Sequence, residues 1–450
     1  MKKRFIFILC GLFLCAGTIA ATNYNVLQQG AVGDGKTLNT KSLQSAIDAL
    51  HAKGGGQLYF PAGRYLTGSL QLKSNVTLYL EKEAVLLGST SPYDYPGFST
   101  EKELKVNNDH FDQALIYAEG AENIGITGEG CIDGQGRELA LTIDSLHVEN
   151  RAYWNNDGIN ISDCKEVRIS NCFINSADDG ICLKSHNRGA WNDRVSISNC
   201  HIISSASAIK FGTESLGGFK NVTIDNIRVK DTFRSAIAIE SVDGAEIENV
   251  QVSNVHAVNT GNAIFIRLGH RSGEQPGYLR NVTIKDVYVE VPFGRPDINY
   301  DLRGPAVTFF HNPFPSSISG IPGHDIENVK LENIEIVCPG RATRGMAYMS
   351  VSRLKDVPEN EKGYPEFTMF EELPSWGFYV RHVKGIQMHN IKLRLQEDDF
   401  RPAFVFDRVS DVRLSGISLP ENKKEGQVVL RQTNLQSADN AVKEYVREVE

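Results

Sequence analysis

One phrase recurs through the second half of the chain: apolar–x–apolar–x–Asn/Asp–apolar–x–apolar. It runs over Val167–Ile174, Val195–Ile202, Val222–Val229, Val250–Ala257, Val282–Val289, Val329–Ile336 and Ile386–Leu393. The polar centre falls at Asn171, Asn199, Asn226, Asn254, Asp286, Asn333 and Asn390, with first gaps of 28, 27 and 28 residues. Alternation on either side of the polar residue predicts two short strands meeting at a bend. The density of Val, Ile and Thr argues against helices. A period near 28 suits one coil of a solenoid, each strand pairing with its counterpart one coil away. Stacked Asn side chains at the bend are expected to bond to one another and to satisfy buried backbone groups.

A second column runs in register with the first: Gly158–Ile161, Gly180–Leu183, Ala208–Phe211, Ala236–Ile239, Ala263–Ile266 and Ala306–Phe309. Each segment starts on a small residue and alternates an inward apolar side chain with an outward variable one. Homologous positions on successive coils should therefore lie about 4.8 Å apart on one outer face. The pattern predicts an all-β fold, a single-stranded parallel β-helix over residues 22–450. Thr40 to His51 reads as an amphipathic capping helix that ends at Gly54-Gly55-Gly56. Ser437 to Val449 reads as a closing helix. The later gaps widen to 32, 47 and 57 residues, which predicts loops near Gly269–Tyr278, His311–His324 and Gly340–Trp376. Long loops on one side of a repeat array build a binding wall.

Ahead of this pattern, Lys2, Lys3 and Arg4 precede an apolar run from Phe5 to Ala16 and small residues at Thr18, Ala20 and Ala21. That is the layout of a secretory signal peptide over residues 1–21, which implies export to the periplasm or medium. Leu14 before Cys15 is bulky for a lipoprotein site. No later apolar run approaches the about 20 residues of a membrane span. The formal charge is −8 with acids and bases interspersed, and no basic run points to nucleic acid. Six cysteines follow the leader without metal-ligand spacing. Cys172 and Cys200 share a repeat position and read as stacked interior thiols.

Acids gather at the start of the second column. Asp157 precedes Gly158-Ile159, and Asp178-Asp179 precede Gly180-Ile181. Column alignment makes Asp157 and Asp179 equivalent places on adjacent coils, with Asp178 beside them. Asp-Asp-Gly and Asn-Asp-Gly are also ordinary turn sequences. Two such motifs in register on neighbouring coils favour a site over a pair of turns. Hydrolysis of a glycosidic bond needs one acid for the leaving oxygen and one base for water. Crowding like charges raises at least one carboxyl's affinity for its proton, which suits an acid.

These residues carry a resemblance to glycoside hydrolase family 28, the polygalacturonase-like pectin hydrolases, over nearly all of the mature chain. It includes Gly30 to Gly35, Pro61 to Tyr65 and Gly128 to Gly136. The family's Asn-Thr-Asp corresponds to Asn155-Asn156-Asp157, and its Asp-Asp to Asp178-Asp179. The resemblance implies a right-handed, pectin-lyase-like β-helix, with Asp178 as general acid. Asp157 and Asp179 would position and deprotonate water, with inversion and no metal or other cofactor. The one-coil offset is expected to leave room for that water. Two motifs depart. The family's Gly-His-Gly falls at Ala206-Ser207-Ala208, and its Arg-Ile-Lys, which grips the uronate carboxylate, falls at Ala238-Ile239-Glu240.

Outward residues on the same face are candidates to replace those contacts: Lys184, Lys210, Arg267, His270 and Arg271, with Glu240, Ser207 and Asn155 beside them. Trp154, Trp191 and Trp376 are candidates for stacking on sugar rings, Trp154 foremost. His311 opens one of the loops that would wall the cleft. The expectation is an inverting hydrolase of pectin-type glycans, galacturonan or rhamnogalacturonan fragments, exo-acting because of its tall loops. A lyase on the same fold, with Lys210 or Arg267 as base, and a non-catalytic glycan-binding β-helix are the alternatives.

Overall fold

The computed structural model describes residues 22–91, 94–95, 115–118, 120–134, 142–151, 155–294, 296, 312–346, 349–423 and 425–450. The leader, Trp154, His311 and Ala306–Phe309 lie outside the described residues. The chain forms two compact units, Met1–Gln135 and Gly136–Glu450.

In the first unit, Thr22–Asn25, Gly56–Phe60, Val76–Leu80 and Gly125–Gly128 make one parallel sheet. A second holds Gly63–Thr67, Ala84–Gly88 and Cys131–Asp133. The expected helix runs Thr40–Ala52 and buries Leu43, Ala46, Ile47 and Leu50. They pack in one cluster with Leu58, Phe60, Val76 and Leu78 of the sheet. Asn39, at its N-terminus, is buried and ties three segments together. Its Oδ1 accepts from the Val32 N–H, and its Nδ2 donates to the carbonyls of Val32, Thr37 and Leu66.

The second unit is an 18-stranded sheet among the described residues, with every strand pair parallel. It is a parallel β-helix. Val222, Ile224, Ile227 and Val229 are at most 2% exposed, while Thr223 and Arg228 between them face solvent. Inward Ile, Val and Leu from all coils form one continuous core. Each buried side chain of this kind stabilises the fold by about 1.5–3 kcal/mol.

Each coil bends at two left-handed positions five residues apart: Arg194 and Asn199, Asn221 and Asn226, Asn249 and Asn254, Asn281 and Asp286, Asn328 and Asn333, Gly385 and Asn390. The non-glycine members have φ between 52° and 59°. Asn tolerates this region because its short amide bonds locally. The Asn side chains form ladders at both bends. Asn249 donates to Asn221, Asn281 to Asn249 and Asn328 to Asn281 at 3.1–3.2 Å. At the other bend Asn226 donates to Asn199, Asn333 to Asp286 and Asn390 to Asn333, each at 2.8 Å. The repeat phrase predicts only the second of these ladders. Both are exposed, and their amides bond to one another rather than to buried backbone. Asn254 breaks ranks and donates to Asp225.

Two expectations are corrected. The sixth segment of the outer column is Ser316–Ser319, which pairs with Phe265–Arg267 and with Phe378–Arg381. Its serines are buried although they are polar: Ser316 faces inward with Ile318, and Ser319 accepts from the buried Arg267. The C-terminus holds strands Leu435–Ala438 and Val446–Val449 around a single helical turn, Asn440–Lys443, rather than a closing helix. The six cysteines are free, and Cys172 and Cys200 sit buried on adjacent rungs, each Sγ donating to the carbonyl two residues back.

Candidate active site

Register places the acids. Ile159 pairs with Ile181, Ile181 with Ile209 and Ile209 with Ile237. One column at the strand entry is therefore Asp157, Asp179, Ser207, Ser235, and its neighbour is Asn156, Asp178, Ala206, Arg234. Glycine follows the acids because the rungs leave no room there. A Cβ on Gly180 would lie 2.4 Å from Ile202 Cγ2 and 2.5 Å from the Ala208 carbonyl. On Gly158 it would lie 2.3 Å from Ile174 Cγ2.

The backbone holds the carboxylates in turn. Asp157 Oδ1 accepts from the Asp179 N–H at 3.1 Å, and Asp179 Oδ1 accepts from the Ser207 N–H at 3.0 Å. The Asp178 carbonyl accepts from the hydroxyls of Ser176 and Ser204, and its N–H donates to the Asn156 carbonyl. Asp157, Asp178 and Asp179 each bring an oxygen within 4.8 Å of the others. That is closer than the about 6.5–9.5 Å at which paired carboxyls bracket a water.

Two lysines answer the crowded charge. Lys184 Nζ lies 2.8 Å from Asp157 Oδ2 and 3.6 Å from Glu214. Burial opposes its charge, but the Asp157 and Glu214 carboxylates outweigh it and raise the ammonium above its ordinary value. Lys210 Nζ lies 3.3 Å from Asp179 Oδ2 and 3.7 Å from Glu240 Oε2. Its burial is likewise outweighed, chiefly by Asp179. Three carboxylates this close could also hold a divalent cation, but the two ammonium groups already supply positive charge to Asp157 and Asp179. Burial, with Asp179 and Asp157 nearby, keeps the Cys182 thiol protonated beneath the site.

Several sequence candidates land elsewhere. Lys210 is 1% exposed and Glu240 is equally buried, so neither meets a ligand directly as expected; they act on Asp179 from behind. Arg267 is fully buried. Its Nη1 donates to Ser319 and the Gly320 carbonyl, and its Nη2 to the Glu359 and Asn360 carbonyls. It anchors a loop rather than a substrate. The cause is one covering segment: Met349, Leu354, Val357, Phe367, Phe370 and Leu373 pack on Ala238, Phe265, Tyr379 and Val405 of the outer column. Outward is not solvent there. His270 Nε2 faces the Gly273 carbonyl, and Arg271 pairs with Asp243. Trp191 stacks on Lys220, and Trp376 is 2% exposed in the core. Asn155 is exposed with φ of 60°. Ser207 is buried and serves the site through its backbone.

The structure adds Arg234 and Tyr364. Arg234 stands two rungs from Asp178, with only Ala206 between, and its Nη2 pairs with Glu366 at 2.9 Å. Burial opposes its charge, but Glu366, Tyr364, Asp179 and Asp178 outweigh it. Its Nε and Nη1 find no hydrogen-bond partner. Tyr364 is 49% exposed, with Lys210 at 5.4 Å and Arg234 at 5.7 Å from its ring centroid. Both cations are buried, so they lie on its protein side. No motif marks either residue; the small side chain at Ala206 was the one available hint.

Residues 23–228 match the family model described as rhamnogalacturonase A/epimerase, pectate lyase-like. A probable polygalacturonase of Vitis vinifera is 29% identical over 336 residues, 63% of this chain and 62% of that protein. An exo-poly-alpha-D-galacturonosidase of Dickeya chrysanthemi is 28% identical over 247 residues, 53% of this chain and 37% of that one. The chain thus spans less than two thirds of the length of these curated relatives. Among solved structures, the family 28 exopolygalacturonase of Yersinia enterocolitica aligns over 87% of this chain and 78% of its own, at 18% identity and a TM-score of 0.41.

Proposed function

We propose that this chain, a divergent member of the polygalacturonase-like family, is a glycoside hydrolase that removes residues from the ends of pectin-type glycans. One observation carries the reading: two adjacent rungs bring three aspartates within 4.8 Å of one another. Asp157 and Asp179, each paired with a lysine, suit the ionised base. Asp178 is assigned the acid. It gives its proton to the glycosidic oxygen as the bond to the anomeric carbon breaks. Water bonds to that carbon and passes a proton to the Asp157–Asp179 pair.

End-on action is supported by the covering segment, which packs on the outer column and brings Tyr364 to Lys210 and Glu366 to Arg234 beside the aspartates. Arg234 is the cation best placed to favour an acidic sugar, since Ala238 and Glu240 replace the family's basic pair. The leader-like first 21 residues support export, which N-terminal sequencing of secreted protein checks.

Product analysis on defined galacturonan and rhamnogalacturonan oligosaccharides tests the reading. Release of single residues supports it, random internal cuts overturn the end-on part, and an ultraviolet-absorbing unsaturated uronate identifies a lyase instead. Proton NMR of the first anomer formed decides the stereochemistry. Inversion is the proposal, and retention is what the short carboxylate separation would favour. Asp178→Asn should lower turnover by about 100-fold or more while oligosaccharide affinity persists; a protein with affinity but no turnover to lose is a binder.

A further inference from the structure

Behind the three aspartates runs a buried chain of charge that reaches one coil further. Asp179, Lys210 and Glu240 come from three successive coils, linked at 3.3 Å and 3.7 Å through the Lys210 ammonium. Lys210 and Glu240 are each 1% exposed. Gly212, on the rung before it, packs against the Glu240 carboxyl at ordinary contact distance. Glu240 Oε2 accepts no hydrogen bond, and the nearby Arg234 Nε and Nη1 donate none. A carboxylate without donors is costly in such a place, whereas a protonated carboxyl is not.

We propose that Glu240 is a positioning residue that, by staying protonated, leaves Lys210 to Asp179 and so holds that carboxylate ready to take a proton from water. The inference rests on the hydrolase reading above. The groups that face Glu240 are Lys210 from the preceding strand, Asp179 from the turn before it, Arg234 from its own strand and Glu366 from the covering segment. Its register neighbour Arg267 is committed to the carbonyls of Glu359 and Asn360. Burial raises the Glu240 carboxyl to about 8 against the pull of Lys210. Below that pH the group is neutral and Lys210 serves Asp179 alone. Above it, Glu240 ionises and competes for the same ammonium, and Asp179 loses part of its partner.

The rate should therefore fall on an alkaline limb near pH 8, set by a residue that touches neither substrate nor water. Glu240→Gln keeps the shape of the protonated form and cannot ionise. Its rate at pH 9 relative to pH 6 should exceed that of the parent protein by about fivefold or more. Coincident limbs in parent and variant overturn the proposal; a role in packing alone would change stability without moving the limb. Infrared difference titration reads the coupling without any turnover. A protonated-carboxyl band should disappear with a midpoint near 8, be absent in Glu240→Gln, and shift its midpoint upward in Lys210→Met, where the opposing cation is gone. A band that ignores the lysine refutes the relay even if hydrolysis is observed. Absence of all hydrolysis, with the band behaving as stated, sinks the hydrolase reading and leaves the buried coupling standing.

Discussion

Arg267 offers a direct test of whether the covering segment is built into the site or merely lies near it. Its guanidinium donates four hydrogen bonds at 2.8–3.1 Å, two of them to the carbonyls of Glu359 and Asn360. Phe370 lies 5.1 Å beneath it. At about 1.5 kcal/mol for each bond from a charged donor, the four contribute about 6 kcal/mol. Against this stands the burial of the charge, which lowers the guanidinium to about 10 despite Glu359 and Glu361. At about 1.4 kcal/mol per pH unit that burial costs about 3 kcal/mol. Arg267→Met fills similar volume, removes both contributions and should destabilise by about 3 kcal/mol net, largely at the Glu359–Glu366 stretch. That corresponds to local opening about 100-fold more often. Lys362 is exposed in this stretch and provides a tryptic site. Nicking after Lys362 should accelerate by about that factor while reclosing outpaces cleavage. If the variant resists trypsin as the parent does and shows only a raised KM, Arg267 contacts substrate and the anchoring argument is wrong.

Two further outcomes follow from the site. Gly180→Ala should lower the free energy of unfolding by about 1–3 kcal/mol and depress turnover, since its methyl would push away Ile202 or the Ala208 carbonyl and displace the adjoining Asp178-Asp179 pair; an undisturbed melting curve contradicts the packing. Lys184→Met removes the 2.8 Å partner of Asp157, so kcat should drop about 10- to 100-fold with KM changing far less, and an unchanged kcat would remove Lys184 from the mechanism.

The strand columns were legible because period-two alternation repeats at a near-constant interval, and each coil restates the same inward set. The grouping of Asp157, Asp178 and Asp179 was legible for the same reason: once Ile159 and Ile181 are aligned, their preceding residues must stack. What alternation cannot say is what an outward side chain meets. Lys210, Glu240 and Arg267 all point outward by parity, yet a segment about eighty or more residues later covers them. Ser316–Ser319 escaped notice because its outward and inward positions are both small and mostly polar, a composition that reads as loop. Arg234 and Tyr364 belong to no repeat phrase, and only distant packing brings them to the aspartates. Where Ser437 to Val449 reads as a closing helix, one helical turn at Asn440–Lys443 is enough to bury Val442, and the flanking residues pair as strands.

The paired Asn ladders carry an implication for how such a molecule can change. Because a left-handed residue stands at each end of the short strand between them, the spacing of five is the same in coils whose total lengths differ by dozens of residues. Insertions fall instead in the connections that flank the outer strands, residues 269–277 after one and residues 339–377 before another, where they build walls beside that face. Selection can lengthen, shorten or recarve those walls for a new sugar without shifting the rung on which the acids stand, so substrate range and catalytic alignment are free to evolve on separate schedules.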